Sequence, residues 1–245
     1  SWFVIEIKFH NKKYTKEFSL APSNLLSNPR LRVLDTFTKK TGIDFSGKIL
    51  DAGCGNGYAG ISLALNSPVK SVVCLDNSDI AIEKLIPRNA NYYAVGHKID
   101  PVLGDFSDIS YNEEFDFIIA FGALHHSPCL FSTFKSLTRS LKVGGFIIAH
   151  EPVMPNVTSH NLFAQKYDQI EESYGLKFRH GDRYDRFYRD AEYICAGILS
   201  GLDLIYSLDF PLSDKPQKSD NPTSKAFFFT KDKIDYVPHL WEPLK

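Results

Sequence analysis

The sequence predicts an α/β fold, a doubly wound and mostly parallel sheet with helices on both faces. Three observations carry this. From residue 47 onward short apolar runs alternate with helical segments, three glycines separate the first run from its helix, and the last two runs are joined by 14 residues without a helical pattern. Parallel strands covered on both faces read as short apolar runs and need helical crossovers. In chain order, Phe3, Ile5, Ile7 and Phe9 alternate with Val4, Glu6, Lys8 and His10, and alternation resumes through Tyr14 and Phe18 after Asn11-Lys12-Lys13. Trp2 to Ser19 therefore predicts a β-hairpin. Leu25–Gly42 spaces Leu31, Leu34 and Phe37 helically and stops at a glycine. Lys48–Ala52, Ser71–Asp76, Ile99–Leu103, Phe115–Phe121 and Phe146–His150 are the next strands. Between them fall a helix near Tyr58–Leu65 broken at Asn66-Ser67-Pro68, a helix with Ile82, Leu85 and Ile86 on one face, and a helix at Pro128–Leu141. Gly144-Gly145 turns the chain back. Leu202–Phe210 and Lys225–Lys231 should pair antiparallel, since no crossover helix fits between them. A segment rich in Tyr, Arg and His leads to a helix near Tyr184–Gly201. It predicts a lid insertion at about residues 152–190, and the whole divides into an N-terminal extension, 1–46, and a main domain, 47–245.

Composition narrows the function classes. The chain has 245 residues, 43% hydrophobic and 23% charged, which fits a globular domain and no disordered or collagenous class. Its longest apolar stretch, around Phe117–Leu124, is far short of the roughly 20 residues of a membrane helix. Lys plus Arg (28) balances Asp plus Glu (29), for a net charge of -1, so no basic field argues for nucleic acid. Cys54, Cys74, Cys129 and Cys195 form no C-x-x-C pair, which speaks for reduced thiols and against a zinc ribbon or a disulfide scaffold. No signal peptide is evident, and the expected compartment is the cytoplasm. The sequon Asn156-Val-Thr reads as coincidence. A first residue of Ser rather than Met points to a processed chain or a piece of a longer one.

The most informative stretch is Ile49-Leu50-Asp51-Ala52-Gly53-Cys54-Gly55-Asn56-Gly57. Glycines allow a tight turn and a ligand lying against bare backbone, and the helix that follows offers free N–H groups. Gly55, Gly57 and Gly60 also satisfy the G-x-G-x-x-G pattern of dinucleotide sites. Asp51 decides between the two ligands. A carboxylate there would repel a pyrophosphate and attract an amine, and S-adenosylmethionine carries an ammonium and a sulfonium but no phosphate. Asp76, 25 residues after Asp51, ends the next strand, where a carboxylate takes ribose hydroxyls. Asp105, in Gly104-Asp105-Phe106, follows the third strand, where an acid beside a ring suits adenine. The bland alternatives are a turn residue for Asp76 and a helix cap for Asp105.

Asp51–Gly57, Asp76, Gly104-Asp105 and the run Phe115–Glu151 resemble the class I S-adenosylmethionine-dependent methyltransferases. Ala123-Leu124-His125-His126-Ser127-Pro128, Leu141-Lys142-Val143-Gly144-Gly145 and His150-Glu151-Pro152 look like the branch that acts on small molecules such as quinones, sugars and natural products. The resemblance covers roughly Gly47–Pro152 and the closing strand pair. It implies a seven-stranded, Rossmann-like sheet whose last strand is inserted antiparallel. It also implies a cofactor set of Asp51, Gly53, Gly55, Gly57, Asp76, Asn77, Asp105, Phe106 and Phe121.

Methyl transfer needs alignment and water exclusion, and with an alcohol as acceptor it needs a base. His126, His150 and Glu151 are the candidates, with His125-His126 as a structural pair the competing reading. The expected acceptor is a hydroxyl oxygen of a small, sugar-like or anionic molecule, with no metal, nucleic acid or membrane involved. Lys177, Arg179, His180, Arg183, Arg186 and Arg189, interleaved with Tyr174, Tyr184, Phe187 and Tyr188, suggest a cationic lid over it. Two rivals stand beside this reading. One is a nicotinamide-dependent oxidoreductase using Gly55, Gly57 and Gly60, and the other is a non-catalytic module of the same fold.

Overall fold

The computed structural model describes residues 11, 13–18, 20–154, 188–210 and 223–232. Seven strands form one sheet: β1 Gly47–Ala52, β2 Val69–Asp76, β3 Ile99–Leu103, β4 Phe115–Phe121, β5 Leu141–Val153, β6 Asp203–Asp209 and β7 Thr223–Thr230. Their order is β3-β2-β1-β4-β5-β7-β6. The pairs from β3 to β5 are parallel, and β7 runs antiparallel to both β5 and β6. The tail strands pair as the helix-free link required, with Leu204 opposite Phe229 and Asp209 opposite Lys225. The dinucleotide-binding sheet has the order 3-2-1-4-5-6, so the inserted β7 removes the topological support for the nicotinamide rival.

The described helices are α1 at 13–18, α2 Arg32–Thr41, α3 Tyr58–Ala64, α4 Ile86–Tyr92, α5 Leu130–Ser140 and α6 Asp190–Leu199. Strand residues alternate between the sheet's two faces. One face carries Ile49, Phe117 and Phe228 under Phe37 of α2, Ile61 of α3 and Ile86 of α4. The other carries Leu50, Ile118, Phe227 and Phe229 under Phe134 and Leu137 of α5 and Tyr193 of α6. Because β1 to β5 are parallel, their carboxyl ends share one edge, where ligands of such sheets lie. No helix among the described residues is long and apolar enough to cross a membrane.

Four expectations need correction. Residues 13–18 are helical, not a second hairpin strand. Tyr14 alone turns inward, against Ala81 and Leu85, which one helical turn satisfies. Residues 1–10 lie outside the described residues. The helix read from Leu25 starts at Arg32, because Pro22–Ser27 and Pro29–Leu31 are separate 3-10 turns. Proline offers no N–H and pushes the residue before it out of the helical region, and Asn28 is extended at φ −63°, ψ 121°. β5 is longer than Phe146–His150 and runs through Gly144-Gly145. Finally, the last helix starts at Asp190 rather than near Tyr184. Most of the predicted lid, with the sequon and all its cations except Arg189, lies outside the described residues.

Phe37 is fully buried, with ring centroids 5.3 Å from Phe45 and 5.4 Å from Phe146 and Phe228. Phe37→Ala should destabilise the fold by about 3–5 kcal/mol in chemical denaturation. A loss under about 1 kcal/mol would show that α2 is not anchored through this ring.

Candidate functional site

The loop after β1 is held by backbone bonds. Gly53 N–H (2.8 Å) and Cys54 N–H (3.0 Å) both donate to the Leu75 carbonyl of β2. The loop ends at Gly57, which precedes α3 with φ +81°, a left-handed value that favours glycine. Asp76, at the end of β2, ties the loop to the next one. Its Oδ2 accepts from Gly55 N–H (2.8 Å) and its Oδ1 from Ser78 N–H (3.0 Å).

Asp51 sits beneath this loop. Its Oδ2 accepts from Gly60 N–H (2.8 Å) in the first turn of α3. Gly60 is packed so closely that a Cβ there would come within 2.8 Å of Cys74 Sγ. Burial pushes the Asp51 carboxyl up to about 7 against the help of the Gly60 N–H, and the nearby Asp76 charge adds to the rise. Asp105 is exposed and accepts from Ser107 N–H (2.8 Å) and Ser107 Oγ (2.7 Å), a turn-capping arrangement.

Glu151, on β5, is wholly buried beside the end of β4. Its Oε1 accepts from the N–H groups of Ala123 and Leu124, both at 2.9 Å. Its Oε2 lies 2.8 Å from His125 Nδ1. Burial pushes this carboxyl up, but the bond and charge of His125 and the two N–H groups outweigh it and hold Glu151 below its ordinary value. The carboxylate thus fixes the turn Leu124–His126, whose two histidine rings lie 4.0 Å apart. His150 is also buried, with Nε2 3.1 Å from the Phe210 carbonyl. Burial lowers its pKa to about 4, despite that bond.

These elements enclose a small cavity of about 70 Å³ at the carboxyl edge, lined by Gly53, Asp76, Asn77, Phe106, Gly122, Ala123 and His126 and closed by Lys13 and Tyr14. A larger groove of about 780 Å³ lies elsewhere, between α2 and α3, away from the glycine loop and the histidines. The small cavity is the better candidate because the sequence-predicted residues converge on it. Gly53, Asp76, Asn77, Phe106 and His126 line it. Asp51, Gly55, Gly57, Asp105, Phe121, His150 and Glu151 stand outside the lining. Sequence reading missed Tyr14, whose hydroxyl would be 3.0 Å from a Cβ on Gly55. It also missed Gly122. The alternation around Tyr14 concealed a helical turn.

Comparison with known proteins follows the same direction. Residues 43–192, more than half of the chain, match the family model described as a methyltransferase domain. Sterol 24-C-methyltransferase erg6 of Aspergillus fumigatus is 28% identical over 71% of this chain and 44% of its own length. A tRNA U34 carboxymethyltransferase of Aliarcobacter butzleri is 31% identical over 41% of this chain and 32% of its own length. The chain thus spans half or less of the curated relatives it matches. The geranyl diphosphate C-methyltransferase of Streptomyces coelicolor A3(2), solved with S-adenosyl-L-homocysteine, superposes with a TM-score of 0.61. It is 14% identical, and the match covers 82% of this chain and 77% of that one, a likeness of fold.

The raised pKa of Asp51 has a stability consequence. A carboxyl whose folded pKa (about 7) exceeds its ordinary 3.8 adds stability below the lower value and loses it as pH rises through the upper one. Asp51→Asn keeps an acceptor for Gly60 N–H and cannot ionise. Thermal unfolding of the ligand-free protein should favour this variant over the parent at pH 8, on the order of 3 kcal/mol, and much less at pH 5. An equal difference at both pH values would contradict the assignment.

Proposed function

The chain belongs to the class I S-adenosylmethionine-dependent methyltransferase family, and from that premise we propose that it methylates a hydroxyl oxygen of a small molecule, with His126 taking the proton. The observation that carries this reading is the cavity itself, where Gly53, Asp76, Phe106, Gly122 and His126 meet. When bound, S-adenosylmethionine supplies a methyl group on a positively charged sulfur. The residues present suit it. Asp76 keeps lone pairs beyond its two backbone bonds for ribose hydroxyls, Phe106 offers a ring face, and Gly53 and Gly122 leave bare backbone for close approach. Asp51 acts from below, by holding α3 against the loop. At about 70 Å³ the cavity is smaller than the roughly 300 Å³ of an ordinary ligand pocket, so the reading requires α1, with Tyr14, to shift when ligand enters.

Among the three candidate bases, His126 is favoured because it lines the cavity. Glu151 has both oxygens committed to the 123–125 turn and acts as a positioning residue. His150 is neutral down to about pH 4 and is a weak base. As the acceptor oxygen gains the methyl group, its proton passes to the His126 imidazole. A carbon acceptor is the second reading, favoured by the sterol 24-C-methyltransferase relative. There His126 would take a proton from carbon after methylation. A small molecule is favoured over RNA by the balanced charge of -1, and the tRNA-modifying relative aligns over only 41% of this chain.

Two experiments test this. Calorimetry should show S-adenosylhomocysteine binding to the parent and no measurable binding of a nicotinamide dinucleotide. Asp76→Ala should weaken that binding tenfold or more, since each lost charged hydrogen bond is worth about 1.5–3 kcal/mol. Unchanged affinity would remove Asp76 from the cofactor. With an acceptor in hand, His126→Ala should lower turnover roughly 100-fold or more without altering cofactor affinity. An acid limb near pH 4 would move the proton acceptor to His150.

A further inference from the structure

We propose that Arg30 is the oxyanion anchor of the transfer cavity, its guanidinium holding a carboxylate of the ligand at the Gly122 end. The proposal rests on the methyltransferase reading above and adds to it a residue that neither the sequence motifs nor the cavity lining identifies.

Arg30 is fixed in place before any ligand arrives. It lies in the turn Pro29–Leu31, where Pro29 sets the backbone and the Asn28 side chain accepts Arg30 N–H (3.0 Å). Its guanidinium lies against Gly122. A Cβ on that glycine would come within 3.3 Å of Arg30 Nη2 and 3.4 Å of Cζ. Gly122 has φ +66° and lines the same cavity as Gly53, Asp76 and His126. The positive charge acts on two neighbours, opposing the rise that burial causes at Tyr58 and adding to the fall that burial causes at His150.

Arg30 Nε is buried without a hydrogen-bond partner, and the Tyr58 hydroxyl, also buried, has the guanidinium as its neighbour. Among the described residues no carboxylate pairs with Arg30. The site's buried carboxylates are engaged elsewhere: Asp51 with Gly60, Asp76 with Gly55 and Ser78, and Glu151 with residues 123–125. Arg30 is half-buried, and its buried Nε is a donor that costs free energy until a partner meets it. A guanidinium presents a planar fork that matches a carboxylate two-handed, and the Tyr58 hydroxyl adds a third donor beside it. Two ligands can bring this group to Gly122: the amino-acid end of the cofactor, or an acceptor that is itself an acid.

The test compares binding of S-adenosylhomocysteine and its decarboxylated analogue by calorimetry in the parent, Arg30→Met and Arg30→Lys. If the cofactor supplies the carboxylate, the parent should prefer S-adenosylhomocysteine by roughly tenfold to a hundredfold. Arg30→Met should lose that preference. If the acceptor supplies it, the parent should bind both compounds alike. Acetate should then raise the melting temperature of the parent saturated with S-adenosylhomocysteine, and leave that of Arg30→Met unmoved. Arg30→Lys keeps the charge without the fork and carries the test should Arg30→Met not fold, with most of either effect lost. Variants that keep both the parent's preference and its acetate response overturn the proposal for Arg30 alone. A parent that binds neither adenosyl compound overturns the methyltransferase reading, and this proposal with it.

Discussion

A carboxylate taken out of water must find donors, and at the carboxyl edge of this sheet Asp51, Asp76 and Glu151 find them in the backbone. Each bond crosses from one element to another. Asp51 joins β1 to α3, Asp76 joins β2 to the glycine loop, and Glu151 joins β5 to the turn after β4. The walls of the cavity are the loops so held. Gly53 and Gly55 stand on the first two clamps, and Ala123 and His126 on the third. A site assembled in this way is ordered before its ligand arrives, which lowers the entropic cost of binding.

The same clamps separate residues that line the cavity from residues that hold its walls. Glu151 and Asp51 share the chemistry of catalytic carboxylates, yet their oxygens are turned to N–H groups. The inward-facing positions belong to smaller or uncharged groups, Gly53, Gly122, Asn77 and Phe106, with Asp76 serving both purposes. The rings of Tyr58, Phe121, His150 and Phe210 follow one another at centroid distances of 6.4, 6.2 and 5.6 Å. The charge of Arg30 acts on Tyr58 and His150 and so stands beside this row.

What was legible in the sequence is what local pattern encodes. The apolar runs of β1 to β4, the glycine loop and the helix-free link of the tail rest on periods of a few residues, and the sheet follows them. The carboxylates could be placed at strand ends but not oriented, because pleat and loop geometry decide whether an oxygen faces a cavity or a neighbouring N–H. Tyr14 and Phe18 are four apart, a spacing that suits alternation and a helical turn equally, so burial of Tyr14 against Ala81 and Leu85 settled the matter. Gly144 and Gly145 looked like a turn, but pairing of the strand continues beyond them on both sides. Arg30 reaches Gly122 across 92 positions of sequence, a contact that no local pattern records.

The central claim, a cofactor site between the glycine loop and the ends of β2 and β4, is tested most directly by a crystal structure with S-adenosylhomocysteine bound. The account predicts the ribose hydroxyls on the Asp76 carboxylate, the amino-acid end passing Gly53 toward Gly122, and α1 displaced from Gly55. An adenosyl group bound elsewhere, or Asp76 turned away from the ribose, would contradict it.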